Sequence, residues 1–520
     1  MRKLALAILP LALLACGGGD RRPAPPRANE LVIGLESAPT RLDPRMGTDQ
    51  GSEYVCELVL EGLLDKLPDG KQVPGLATSW EVLDGGRRYR FHLLPEARFH
   101  DGRPLGAADV AWTYGTILDG SIKSPKVGAL GPLRQVVAVD PHTVDFVMEE
   151  PWGALLSNLT AGTGIIPAGS TTEEMERHPI GSGPFRFARK GPDRVELVAW
   201  DGFRKGRPLL DRVVLREVAD ATVRALELQK GSVQLVVNAF PPDTVAWFRG
   251  RPGFRVLQSP GSNYAYLGFN LEDPVVGDVR VRRAIAFAID RPRLARTVWR
   301  GLGRPTETLM PPGFWARDES LPLVPHDSAA AIALLEEAGY RDPDGPGPEP
   351  RLRITYKTST NDFYVLQAQA IQGMLAEVGI AAEIRSYEFA TFYDDIKRGR
   401  FQLFSLTWTG VAEPDLYRNL FHSRSIPPAG ANRGRYRSAE ADLLIDEGGR
   451  RFDQAERRRY YVPLQRLLQR DMPYVSLLNR DTVAVMLDGL EGFATYPGGE
   501  MYGVHRAHWA RGGAPRREER

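Results

Sequence analysis

The residues able to do chemistry are few and poorly grouped. Two cysteines, Cys16 and Cys56, and eight histidines are the soft ligands and nucleophiles of this chain. His505 and His508 are the only histidines close in sequence. Two imidazoles with no neighbouring thiolate or carboxylate leave a tetrahedral metal short of ligands, so the pair reads as part of an end segment. There is no His-Glu-x-x-His, no Gly-x-Ser-x-Gly elbow, no phosphate loop and no Cys-x-x-Cys. Gly301-Leu302-Gly303 lacks a third glycine and runs into Pro305, which excludes a dinucleotide loop. Asp342-x-Asp344-Gly345 opens like a calcium loop, lacks the later ligands and reads as a turn. The expectation is no catalytic set, no metal and no cofactor. A triad assembled from distant residues stays open at this level.

The elements that would have to position any site are those of an ordinary globular chain. It has 520 residues, 42% hydrophobic, 25% charged and 9% aromatic, enough for about three domains. Its 67 basic residues against 65 acidic ones argue against a dedicated nucleic-acid binder. A core of this size needs no disulfide framework.

The N-terminus reads as a targeting segment. Arg2 and Lys3 precede the uncharged run Leu4 to Leu14, which is too short to span a bilayer and suits a signal core. Leu13-Leu14-Ala15-Cys16 followed by three glycines is similar to a bacterial lipoprotein box, so residues 1–15 are expected to leave and Cys16 to carry lipid. A plain signal peptide is the alternative. Losing Arg2 and Lys3 lowers the basic count from 67 to 65, which balances the 65 acids. Residues 16–29 read as a flexible tether and 511–520 as a disordered tail. Cys56 lies on an amphipathic stretch and reads as a buried small hydrophobe.

Along the body, 31–35 reads as a buried strand. Residues 76–180 read as an α+β unit, with strands such as Tyr89–Leu94 and Thr143–Met148 between Asp-Gly turns. Val213–Val218, a helix Ala221–Lys230 ending at Gly231, and Val233–Val237 form a βαβ unit. A second series follows: strand Leu352–Lys357, helix Asp362–Val378, strand Ala381–Arg385, helix Ala390–Arg398 and strand Phe401–Thr407. The fold class is α/β, with mostly parallel sheets covered on both faces.

A specific resemblance rests on motifs in one order along the chain. They are Leu42-Asp43-Pro44, Glu61-Gly62-Leu63, Pro74 to Glu81, Phe99-His100-Asp101-Gly102 and Gly181 to Phe185. Asp278 to Asp290, Gly339-Tyr340 and Asn432 to Tyr436 continue the series. Over about 30–510 the chain resembles the extracytoplasmic solute-binding proteins of ABC importers, in the dipeptide, oligopeptide and nickel class. The resemblance implies a periplasmic-binding-protein fold: two α/β lobes joined by a two-strand hinge, plus an added α+β lobe. On that pattern lobe I is 30–58 with 183–272 and 484–510, lobe II is the insertion 59–182, and lobe III is 273–483. It further implies a monomeric receptor that closes on a short peptide or peptide-like solute and delivers it to an ABC importer permease. It would face the periplasm or cell exterior, held to the membrane through Cys16. A metal chelate or other organic solute is the alternative ligand, and an extracytoplasmic hydrolase the remote one.

The resemblance also places a ligand site. Trp408, with Thr409 and Gly410 in the same loop, is expected to wall the cleft. Tyr264 and Asn263 lie near the crossover between lobes, and Phe389 matches an aromatic cleft position. Asn432 and Arg433 suit an anionic group, with a surface loop braced by these side chains as the equal alternative, and Ser37 and Thr40 follow the first strand into the same cleft. Relatives that bind peptides carry an Asp three residues after the Trp, which pairs with the peptide amine. This chain has Val411 there. Glu413 is the candidate substitute, but the acid before Pro414 reads more readily as a loop brace. Arg280, Arg282 and Arg283 read as a solvated face or as partners of acids in the first lobe.

Overall fold

The computed structural model describes residues 29–69, 71–345 and 347–510. The expected signal segment, Cys16, all of the tether except Asn29, and the tail 511–520 lie outside the described residues.

Two strands organise the molecule. Phe254–Phe269 and Tyr474–Leu487 pair antiparallel along almost their whole length, at the centre of an eleven-stranded sheet. The register runs from Phe254 opposite Leu487 to Ser259 opposite Thr482, shifts, resumes at Asn263 opposite Arg480, and slips by one more residue after Ala265 opposite Leu478 to end with Gly268 opposite Tyr474. The shift falls on Pro260-Gly261-Ser262. Proline has no N–H to give the ladder. Gly261 lies so close to the partner strand that a Cβ there would meet the Arg480 carbonyl oxygen at 2.2 Å. A bulge of this kind bends the ribbon at its midpoint.

Each half of the ribbon carries its own layered α/β unit. On one half, Glu30–Leu35 pairs parallel with Arg212–Glu217 and with Leu235–Val237. The connecting helix Ala221–Lys230 is capped by Asp220 at its start and by left-handed Gly231 (φ +77°) at its end. On the other half, Leu352–Ser359 pairs parallel with Ile380–Tyr387 and with Leu403–Trp408. The helices Asp362–Ala376 and Phe389–Lys397 connect them, capped by the side chains of Asn361 and Glu388. The sheet is mixed rather than mostly parallel. The crossing strands, Phe185–Lys190 and Arg194–Ala199 all join it antiparallel, because hairpins and returning strands need no crossover helix.

The insertion forms a separate antiparallel sheet of four strands, with helix Ala107–Leu118 against it. Phe91, Phe146 and Tyr114 meet edge to face at its centre, at centroid distances of 5.2 and 5.1 Å.

One expectation for the helix after Asp278 fails. Arg282 does not face solvent. It is buried and donates to the carbonyls of Val276, Gly277, Asp471 and Met472, so it closes the end of helix Gln454–Asp471.

Candidate functional site

The parallel strands of both halves run toward the bulge. Leu235–Val237 ends opposite Ala484, and Leu403–Trp408 ends opposite Tyr264. The loops that leave these strands therefore face each other across the crossover, where α/β sheets place their ligands.

A cavity of 600 Å³ lies between the halves on one side of the ribbon, within the range of small-molecule sites. Glu36, Asn238, Phe240 and Asp243 line it from the first half, and Trp299, Asn361, Phe363 and Tyr364 from the second. Arg480 and Val483 reach it from the crossing strand. Asn238 holds a left-handed conformation (φ +55°), which asparagine tolerates. Its side-chain oxygen accepts the Val483 N–H at 2.9 Å, and its carbonyl accepts from Arg480 Nη2 at 3.0 Å. The Arg300–Asp243 pair, 2.6 Å, bridges the two halves beside this space.

The Trp408 loop is fixed to the crossover by two bonds. Asn263 Oδ1 accepts the Gly410 N–H at 2.9 Å, and the Val411 N–H donates to the Ser262 carbonyl at 2.9 Å. Gly410 turns at φ +64°. Thr409 and Gly410 are exposed and Trp408 is half-buried. Behind them Arg433 lies between two rings, its guanidinium carbon 4.6 Å from the Trp408 centroid and 5.0 Å from that of Tyr393. It donates to the hydroxyls of Tyr266 (3.2 Å) and Tyr393 (2.8 Å). Phe389, 54% exposed, stacks on Tyr393 at 5.7 Å.

The structure thus brings Trp408, Thr409, Gly410, Asn263, Phe389 and Arg433 into one neighbourhood at the ends of adjacent strands. Ser37 lies exposed on the loop leaving Glu30–Leu35, next to the cavity residue Glu36. Thr40 is exposed and bonded to Asp49.

Three expected contacts are corrected. The Tyr264 ring is buried, stacked on Tyr266 at 5.7 Å, with its hydroxyl bonded to Ser476 Oγ at 2.7 Å. Burial pushes its phenol well above the usual range. Asn432 is also buried: its amide donates to the carbonyls of His422 and Tyr436 and its oxygen accepts the Tyr436 N–H, so it braces a loop. Glu413 pairs with Arg457, whose side chain is 2% exposed, and accepts from Ser157 Oγ of the insertion at 2.7 Å. Its carboxylate is spent on an internal brace, not offered to an amine.

The cavity-lining residues Asn238, Phe240, Asn361, Phe363, Tyr364 and Arg480 were missed from sequence. The rule that singled out Trp408, the end of a parallel strand, points equally to the ends of Leu235–Val237 and Leu352–Ser359.

A strand-crossed pair of α/β units with an inter-lobe cavity defines the class of two-lobed extracytoplasmic binding proteins. Residues 71–426 match the model of the bacterial extracellular solute-binding proteins, family 5 (middle region), and the chain belongs to that family, the solute receptors of ABC importers. It is 27% identical to the oligopeptide-binding protein AppA of Bacillus subtilis, over 96% of this chain and 97% of that protein. It is 26% identical to the dipeptide-binding protein of Escherichia coli, over 92% and 94%. AppA bound to a nonapeptide superposes with a TM-score of 0.76 at 25% identity, covering 94% of this chain and 100% of that one. NikA of Brucella suis with Fe(III)-EDTA superposes at 0.83 and 22% identity, over 92% and 99%, a likeness of fold. The protein is therefore an extracytoplasmic receptor that serves an ABC importer, and the fold is the expected one. Among the described residues no helix is long and apolar enough to cross a membrane.

Proposed function

We propose that this protein captures a short peptide or peptide-like solute between its lobes and releases it, chemically unchanged, to the importer permease. The observation that carries this reading is the 600 Å³ inter-lobe cavity at converging strand ends, flanked by the bulged ribbon. The likeness to peptide receptors over nearly the whole chain supports it. Residues 30–58, 183–272 and 484–510 form lobe I, 59–182 the inserted lobe and 273–483 lobe III. The ribbon at Pro260–Ser262 and Arg480–Thr482 is the hinge. Solute shifts the population toward the closed form because it touches both lobes only there. The receptor works as a monomer, and lipid on Cys16 keeps it near the permease, which raises its effective concentration.

Native mass spectrometry of protein isolated from its own envelope tests this reading. A mixture of retained short peptides is the expected result. A single chelate or non-peptide compound would replace the peptide assignment. Turnover of a peptide or ester library would overturn the receptor reading.

A further inference from the structure

A second cavity, of 400 Å³, lies away from the crossing strands. All of its lining falls between Glu61 and Arg204, and it shares no residue with the inter-lobe cavity. Its aromatic wall, Trp200, follows strand Arg194–Ala199, which three other strands separate from the ribbon. The half-buried Trp200 ring meets His100 edge to face at 4.9 Å, and a Cβ on Gly202 would strike it at 2.7 Å. Gly181 and Gly183 press on the end of helix Gln50–Val59, where a Cβ would meet the Val59 carbonyl oxygen at 2.1 Å and carbonyl carbon at 2.6 Å. Ser182, between them, borders the cavity instead. It is 1% exposed and its hydroxyl has no partner. A buried hydroxyl without a hydrogen bond is costly, so this one is idle rather than structural. The charged lining is balanced in sign and incompletely used. Glu61 is 6% exposed; its Oε1 accepts from Arg204 Nε at 2.6 Å, and its Oε2 has no donor among the described residues. Arg204 gives Nη2 to Asp65 at 2.7 Å and leaves Nη1 without an acceptor among them. Burial pushes the Glu61 carboxyl up even beside that guanidinium. Exposed Glu96 and Arg98 add one further charge of each sign.

We infer that this cavity is a second binding site, for a free α-amino acid with an apolar side chain. The Glu61–Arg204 pair presents opposite charges side by side, so its complement carries both charges a short distance apart. An α-amino acid does, with one carbon between ammonium and carboxylate; the two ends of a peptide do not. The ammonium meets Glu61 Oε2. The carboxylate takes charge-assisted bonds from Arg204 Nη1 and Arg98 and the idle proton of Ser182 Oγ. The side chain lies along Trp200, and the volume is in the range of small-molecule sites. None of the walls comes from residues 273–483, so filling this site does not require lobe closure. The assignment goes beyond solute delivery and stands whichever solute occupies the inter-lobe cavity.

Calorimetric titration of the full chain, stripped of retained solute, tests this with L-phenylalanine, hydrocinnamate and phenethylamine. Wild type is expected to bind phenylalanine roughly tenfold or more tighter than the acid or the amine alone, the scale of one charge-assisted hydrogen bond. Ser182→Ala is expected to lose roughly tenfold in phenylalanine affinity while melting no lower than wild type, because the hydroxyl gives the free protein nothing. Arg98 is exposed, so Arg98→Gln keeps the test decisive if Ser182→Ala proves unstable; it should weaken phenylalanine by roughly threefold. Saturating trialanine should leave phenylalanine binding unchanged. Phenylalanine affinity unaltered in both variants, or displacement by trialanine, would put the amino acid elsewhere and overturn the assignment. Equal affinity for phenylalanine and hydrocinnamate or phenethylamine would overturn the zwitterion class. No heat from phenylalanine up to its solubility would overturn the site itself.

Discussion

Replacing Glu413 with alanine separates a structural brace from a ligand contact. In the folded protein the Arg457 guanidinium is 2% exposed and holds Glu413, the carbonyls of Gly153 and Gly448, and the faces of Trp315 and Tyr461. Truncating Glu413 leaves that charge buried without its counter-ion. Breaking one side of a fully buried pair costs about 3–5 kcal/mol. The Glu413 side chain keeps 16% of its exposure, which places the expected loss near the lower end, about 3 kcal/mol. For a cooperative unit of roughly 150–250 residues, each kcal/mol lowers the Tm by about 2–4 °C. The melting temperature should therefore fall by about 6–12 °C, read by calorimetry or circular dichroism. Glu413→Ala combined with Arg457→Met removes both charges and should recover part of that loss. The Ser157 bond joins the inserted lobe to lobe III, so affinity should drop too, but by the same factor for a free-amine peptide and its N-acetyl form. A variant that melts within 1 °C of wild type yet loses only free-amine peptides would refute this reasoning and restore Glu413 as an amine partner.

Two further expectations concern the framework. His100 is held neutral: its Nδ1 accepts the Gly181 N–H at 3.4 Å, its Nε2 donates to the Gly183 carbonyl at 3.0 Å, and burial lowers its pKa from 6.5 to about 4. The unfolded chain binds the proton first, so stability should fall as pH drops from 6.5 toward 4, by about 3 kcal/mol at most, and His100→Gln should flatten that part of a pH series of denaturant melts. Gly261→Ala would drive a Cβ against the Arg480 carbonyl at 2.2 Å, prising the two crossing strands apart; a loss of roughly 1–3 kcal/mol in stability together with weaker solute binding is expected, and unchanged binding would mean that this bulge is not the hinge.

Local rules read from the chain found the parallel strands, their capped helices and the Asp-Gly turns of the insertion, because these depend on neighbours a few residues apart. They did not find the long crossing strand as one element. Pro260-Gly261 carries the signature of a break, yet the strand runs from Phe254 to Phe269 and absorbs the pair as a bulge. Tyr264 consequently turned out to be core: alternation along that strand places it with Tyr266 on a face buried by helices far away in sequence. The brace on Glu413 was invisible for the same reason, since Arg457 is 44 residues away and Ser157 belongs to the insertion. The cavity was the least legible part. Arg480 and Asn238 become neighbours only once a strand near the C-terminus pairs between two earlier ones.

Small-angle X-ray scattering, on stripped protein before and after saturation with the peptides it retains on isolation, tests the central claim most directly. Reversible closure predicts a radius of gyration that falls on loading, recovers when ligand is removed, and leaves the recovered peptide unchanged in mass. An identical scattering profile with and without saturating ligand would contradict it.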